Sequence, residues 1–394
     1  MQWRTQHAAT FAGTTMHVLL QHLRPSRCVA TLALVATASC AGAGASPSPS
    51  PAPGSTATSP GAPMPSAQAT WPVRTREHVD LWLHSYALIT SDTTLVPYFR
   101  RGYRDRITGI RAQRNAASQL DANRAKLIAR LQVQPSLATS GQFLPLYFTS
   151  WDQMRQMIDL FVRNNGSAQG APDQATASYF GVLGSVFGTV ADREWLKLFA
   201  DAVDDESRRF YHDYWTTETR ARAIASARAD SLWQRDWRPA LQRFLNNTQQ
   251  QNGELYLSLP LGGEGRTVQF GKLQNAVAGP MPESASEAEV VLYVMAHEIT
   301  GAVANTAIAD NTTPADRRAG VTSRYEQSAA VRAGALLLEK TIPSAVQGYM
   351  RFYLQQAGRT PPSDSRALFM STYALPDAVR DALVRQFEVI LGGI

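Results

Sequence analysis

The chain has 394 residues, a formal charge of +6, 44% hydrophobic residues and two cysteines. That is enough apolar material for one large domain or two smaller ones, and too few cysteines for a disulfide-built scaffold. All but four of the 38 basic residues are arginine, which reads as codon bias rather than a nucleic-acid footprint, so no nucleic-acid partner is expected.

At the N-terminus, Arg24 and Arg27 precede an apolar run from Val29 to Ala38. The run is too short to span a bilayer and matches the core of an export signal. Positions 1–15 make that signal long, so Met16 is an alternative start to Met1. The run ends in Thr37-Ala38-Ser39-Cys40, which resembles the bacterial lipobox, with Thr37 where leucine is usual. The resemblance implies cleavage before Cys40 and a covalent lipid on its sulfur, hence a membrane-anchored lipoprotein of the cell envelope, periplasmic or surface-facing. The alternative is an ordinary signal cut after Ala38. Cys28 lies inside the signal, so cleavage leaves Cys40 as the lone cysteine, with no internal disulfide to form. Removal of Arg4, Arg24 and Arg27 brings the charge to about +3. Residues 41–70 are almost wholly Ala, Gly, Ser, Pro and Thr, which cannot bury enough apolar surface to order itself. Such a tether reaches at most about 100 Å, and the folded part is expected to begin near Trp71.

From Arg76 to about Asn247 the apolar spacing is helical. The expected helices are Glu77–Thr90, Val96–Ala116, Leu120–Gln132, Trp151–Asn164, Ala175–Val190, Arg193–Tyr214 and Glu218–Asn247, the last broken near Pro239. Ser150 and Asp192 stand as N-caps. The arginines Arg100, Arg101, Arg104, Arg106, Arg111 and Arg114 read as a solvated helix face.

Strand patterns follow. Glu254–Leu259 alternates, Gly262-Gly263-Glu264-Gly265 supplies a turn and Arg266–Phe270 alternates again, which predicts a hairpin. An extended stretch runs from Leu273 to Ala278. Ser284 and Glu287 form an S-x-x-E capping box for an apolar helix that carries Ala296-His297-Glu298-Ile299-Thr300-Gly301 and continues to Asp310. The fold class is therefore mainly α with a small β-hairpin or sheet.

His297 and Glu298 fill the first two positions of H-E-x-x-H, in which two histidines one turn apart hold zinc and the glutamate activates a water. Gly301 stands where the second histidine belongs. A small sheet, a buried His-Glu helix and a later helix bearing Glu326 together resemble the gluzincin group of zincin metallopeptidases, over Glu254 to Lys340. The resemblance implies zinc, with His297 and Glu326 as metal ligands and Glu298 as general base. It makes Leu273–Ala278 the sheet edge along which an extended peptide pairs, and Tyr349 and Tyr353 candidate oxyanion supports. It divides the chain into a signal peptide (1–39), a lipid-anchored linker (40–70), a helical region (71–250) and a zincin-like region (251–394). Catalytic zinc takes three protein ligands, and Gly301 offers none. The other histidines of the mature chain are His78, His84 and His212, one of which would have to reach in as a substitute ligand; His84 and His212, set among aromatics, read as hydrogen-bonded and half-buried. Glu326 has a second reading as the partner of Ser323 in a helix-capping box.

Three functions stay open: a degenerate zincin-like lipoprotein that binds a peptide or an envelope protein, an active metallopeptidase with an atypical third ligand, and an unrelated helical structural lipoprotein.

Overall fold

The computed structural model describes residues 71–90, 96–269 and 274–392. The export signal, Cys40 and the tether lie outside them, as do Phe270 and Leu273. The protein is mainly helical with a small mixed sheet. Among the described residues no helix is long and apolar enough to cross a membrane.

The chain enters through Trp71, whose side chain is fully buried. Its indole N–H donates to the Gln250 carbonyl at 2.8 Å, and its own carbonyl accepts from Trp233 at 3.0 Å. Strand β1 (Val73–Arg74) follows and joins the sheet. The N-terminal half is otherwise helical: α1 (Glu77–Ile89), α2 (Tyr103–Gln113), α3 (Gln119–Val133), α4 (Trp151–Arg163), α5 (Gln174–Val186) and α6 (Val190–Glu206). A π-turn, Ser207–Tyr211, leads into α7 (His212–Ala221) and then α8 (Ala223–Leu232). A second π-turn, Trp233–Trp237, precedes α9 (Arg238–Asn247).

Several of these elements differ from the sequence expectation. The helix expected from Val96 begins only at Tyr103. Pro97 disfavours helical backbone at Val96, and Gly102 sits at φ +70°, a left-handed conformation suited to glycine. Phe99 instead bridges Leu261, while Arg100 N–H donates to Pro260 O and Gly262 N–H to Tyr98 O, both at 2.7 Å. The cap of α6 is Thr189, not Asp192, which is its capping-box partner. The helix expected over Glu218–Asn247 is interrupted at Arg222, and near Pro239, whose missing N–H cannot continue the α-helical ladder, it runs on through the Trp233–Trp237 π-turn rather than breaking. Ser150 caps α4 as expected.

The arginine run is not one solvated face. Arg111 is buried and bonds Asp121 and Glu206, and Glu206 also meets Ser118 and, at 3.1 Å, His84 Nε2. Burial alone would raise the Glu206 carboxyl. The His84, Arg111 and Ser118 contacts outweigh it and hold the group below the usual carboxylate range. The Tyr211 ring packs 4.2 Å from His84, so the first π-turn shapes this network. Arg100 pairs with Glu283 at 2.5 Å.

Strand β2 (Asn252–Ser258), β3 (Arg266–Gln269) and β4 (Gln274–Pro280) complete a sheet of order β1-β2-β4-β3. The expected hairpin of β2 with β3 does not form. β4 lies between them, parallel to β2 (Leu255 opposite Val277) and antiparallel to β3 (Thr267 opposite Val277). Its Ala276, Val277 and Ala278 are all buried, and a strand apolar on both faces belongs in the centre. The edge assigned to Leu273–Ala278 is therefore corrected to β3.

Beyond the sheet come α10 (Ala288–Ile299), α11 (Gly301–Asp310), α12 (Val321–Thr341), α13 (Val346–Gln356) and α14 (Asp377–Gly392). Ser284 does not cap through its side chain, and Ala285–Glu287 is a 3-10 turn ahead of α10. Helix α10 packs on β4 and α12. One continuous apolar core runs through both halves. Asp80 ties them: from α1, its Oδ2 accepts from Trp215 Nε1 in α7 at 3.0 Å and from the Leu259 N–H beyond β2 at 3.2 Å.

Candidate functional site

Helix α10 is apolar almost all round: Val291, Leu292, Val294, Met295 and Ala296 are buried. A helix so placed holds its last turn rigidly, and that turn carries His297 and Glu298. The Thr300 hydroxyl then donates to the Ala296 and His297 carbonyls at 3.0 and 2.8 Å. This competition with the backbone ladder bends the helix, so α11 starts afresh at Gly301.

His297 Nδ1 lies 2.9 Å from Glu298 Oε1. A carboxylate only accepts, so this contact puts the ring proton on Nδ1. Glu298 Oε1 also accepts the Gly265 N–H at 3.1 Å, and the Glu298 carbonyl accepts the Thr267 hydroxyl at 3.0 Å. The start of β3 is thus laced to the end of α10. Gly265 is required there, because a Cβ would lie 1.9 Å from the Ala278 carbonyl oxygen.

The lacing brings in residues that the motif does not contain. Arg266 donates to the Tyr98 hydroxyl, and its guanidinium lies over the Tyr98 and Phe143 rings at 5.2 and 5.4 Å. Tyr98 also lies beside the Glu264 carboxyl, without a well-formed hydrogen bond. Glu264 Oε2 is shut off from solvent and has no hydrogen-bond partner among the described residues. Burial pushes the Glu264 carboxyl up to about 7, with Glu298 adding to the rise and His297, Arg266 and Tyr98 opposing it.

Glu326 lies in the second turn of α12, which begins at Val321 after Gly320 (φ +70°). It is inside the helix rather than at its cap, so the Ser323 capping reading falls. Burial raises its carboxyl to about 6, and Arg266 pulls it back. The Arg266 charge acts on Glu264 and Glu326 and is itself favoured by Glu298, but among the described residues no ion pair joins it to any of the three. The oxyanion candidates separate: Tyr349 donates its hydroxyl to the Val331 carbonyl at 2.9 Å, whereas Tyr353 stacks on His297 at 5.4 Å and its hydroxyl, beside Tyr349, has no well-formed hydrogen bond among the described residues.

The other histidines are engaged elsewhere. His78 Nε2 meets the Phe148 carbonyl at 3.0 Å, His84 bonds Tyr103 and Glu206, and His212 pairs with Glu77 at 2.9 Å.

The donor set does not fit a catalytic zinc. A Cβ at Gly301 would meet nothing within 4 Å, so that position is open and brings no ligand. Among the described residues no three His, Cys, Asp or Glu side chains are arranged to hold a metal ion. The positive charge among these carboxylates is that of Arg266.

Sequence reasoning passed over Glu264, Arg266 and Tyr98. The available signal was a lone carboxylate between glycines, Gly262-Gly263-Glu264-Gly265, where a turn needs no charge. Comparison with protein families, with curated proteins and with solved structures found no match.

Proposed function

We propose that this is an exported, lipid-anchored protein of the cell envelope that holds an extended peptide or protein segment in a zincin-like cleft without cutting it. The observation that carries the reading is the position of β3. It is one edge of the sheet, no strand pairs with its outer side among the described residues, and it is fastened to Glu298 through Gly265 and Thr267. An open edge supplies backbone hydrogen bonds to an extended segment, and adjacent side chains select it. Arg266 and the missing ligand at position 301 argue against the metal chemistry of the resemblance. The lipobox-like Thr37-Ala38-Ser39-Cys40 and the uncharged segment behind it support the anchor.

The test uses the full chain in detergent micelles with a pool of short unstructured peptides. Fluorescence anisotropy reads binding and mass spectrometry reads cleavage, with and without added zinc. Saturable binding with no cleavage is expected. Zinc-dependent cleavage that Glu298→Gln abolishes would establish the metallopeptidase instead, and absence of any peptide binding would remove the proposal.

A further inference from the structure

Arg332, Ala335, Leu336 and Glu339 fall at helical spacing on one face of α12. That face closes one side of a pocket of about 180 Å³ that shares no lining residue with the His297–Glu298 site. The opposite wall is apolar: Met350 of α13 and Phe369 of the helix Arg366–Thr372 are fully buried, and Leu383 of α14 nearly so. The charges around the pocket are matched, except one. Glu339 pairs with Arg366 at 2.7 Å, and Arg380 with Asp377 at 2.7 Å and Asp381 at 3.0 Å. Arg332 has no ion pair with any described residue, and its one hydrogen bond, from Nη1 to the Tyr373 carbonyl, is long at 3.4 Å. The rest of its donor fork is unused by the protein. Burial holds the guanidinium below the usual arginine value, and Arg380 and Arg366 add to this while Glu339 opposes it. A half-buried cation beside an apolar wall is relieved by an anion that also covers the wall.

We infer that this pocket binds a small free carboxylic acid with a branched or aromatic tail, its carboxylate on Arg332 and its tail against Met350, Phe369 and Leu383. A guanidinium meets a carboxylate with two parallel hydrogen bonds, and that is the pairing Arg332 lacks. Size sets the class: a cavity of about 150 Å³ accepts a benzene ring, whereas drug-sized ligands take about 300–1,000 Å³. The flexible, half-buried Met370 lets the walls adjust to either kind of tail. A peptide C-terminus carries the same carboxylate, but helices supply all the walls except Leu375, and their backbone groups are already hydrogen-bonded. A peptide main chain therefore finds no partner here of the kind that the edge of β3 offers.

Isothermal titration calorimetry of the full chain in detergent micelles at neutral pH compares phenylacetate and isovalerate with their uncharged amides, with acetate, and with an N-acetylated alanine peptide ending in a free phenylalanine carboxylate. Empty micelles give the blank for partition into detergent. At least one of the two tailed acids should bind about tenfold or more tighter than its amide, the factor that a hydrogen bond to a charged group supplies. Acetate, which leaves the apolar wall bare, should also bind about tenfold or more weakly than that acid. Arg332→Gln should erase the preference for acid over amide. It removes an unpaired charge and is expected to fold, which far-ultraviolet circular dichroism checks. Val384→Trp fills the pocket from a half-buried wall position and leaves Arg332 in place; it should weaken the tailed acid by the same factor.

Equal binding of acids and amides, acid binding that Arg332→Gln leaves unchanged, or no binding of either tailed acid would each overturn this inference. Acetate binding as tightly as the tailed acids would overturn it in favour of a bare anion site. Tighter binding of the peptide acid, lost in Arg332→Gln, would overturn the choice of a free acid as occupant. None of these outcomes bears on peptide binding at β3, which does not involve Arg332.

Discussion

Asp80 joins the two halves of the fold and is expected to make their union depend on pH. Its side chain is fully buried, with Oδ2 bonded to the Trp215 indole and the Leu259 N–H. Oδ1 lies by the Ser258 hydroxyl, and neither atom has a well-formed hydrogen bond. Burial pushes the carboxyl from 3.8 up to about 7; the contacts with Ser258, Leu259 and Trp215 only partly oppose this. A carboxyl raised in the folded state favours folding while protonated. The contribution is therefore complete below about pH 4 and is lost as pH rises through about 7. Each tenfold step in that equilibrium is worth about 1.4 kcal/mol, so about 4 kcal/mol is lost between pH 4 and pH 8. Asp80→Asn keeps the acceptor for Trp215 and Leu259, offers Ser258 a donor, and cannot ionise. Urea unfolding followed by tryptophan fluorescence, in a Cys40→Ser background, reads both proteins from pH 5 to pH 8. The variant should lack most of the wild type's loss and should be the more stable protein at pH 8. Other titrating groups are common to both and cancel in the difference. Parallel pH profiles would refute the reasoning, because Asp80 would then ionise as freely in the folded chain as in the unfolded one.

A Cβ at position 301 would meet nothing within 4 Å, so Gly301→His should fold normally. If His297 and Glu326 converge as the gluzincin resemblance implies, the variant should bind zinc at least about tenfold more tightly than the wild type by competitive titration, and no gain would show that they do not. Gly265→Ala should cost about 1–3 kcal/mol in denaturant unfolding, since its Cβ would collide with the Ala278 carbonyl and push β3 off Glu298. Glu206→Gln should cost about 1.5–3 kcal/mol by the same measurement, because it removes the charge that buried Arg111 meets at 2.9 Å, leaving it only Asp121, and weakens the bond to His84. Cys40→Ser should move the protein from the membrane fraction to the soluble envelope fraction, whereas a wild type already soluble and unlipidated would remove the lipid anchor.

Helices were legible wherever local signals decide. Ser150 caps α4, and α1 covers Glu77–Ile89, although it is buried nearly all round rather than along one stripe. The failures arise where a distant partner overrules local preference. Residues 96–100 carry an apolar-periodic pattern, yet they run extended because Pro260 and Gly262 offer them backbone hydrogen bonds. The π-turns at Ser207–Tyr211 and Trp233–Trp237 leave no trace in periodicity, since an inserted residue shifts the phase of a stripe without ending it. Strand order was out of reach for a related reason. Alternation marks β2 and β3 as strands, but only the apolarity of β4 on both faces indicates that it must separate them.

The site divides along the same line. His297 and Glu298 stand out because neighbouring positions on a buried helix cannot carry two polar groups without a reason. Their partners come from a strand and a loop about 30 and 200 residues earlier in the chain, placed only by the fold, and no spacing rule connects Tyr98 to Arg266. This arrangement also explains why a glycine at position 301 is tolerated. In a metal site the cation organises the carboxylates, and losing one ligand releases them. Here a side chain does that work. Arg266 is covalently part of β3, it cannot dissociate, and its charge acts on Glu264 and Glu326 whether or not position 301 contributes. A site organised in this way needs no bound ion to hold its residues in place, which fits the binding role proposed above.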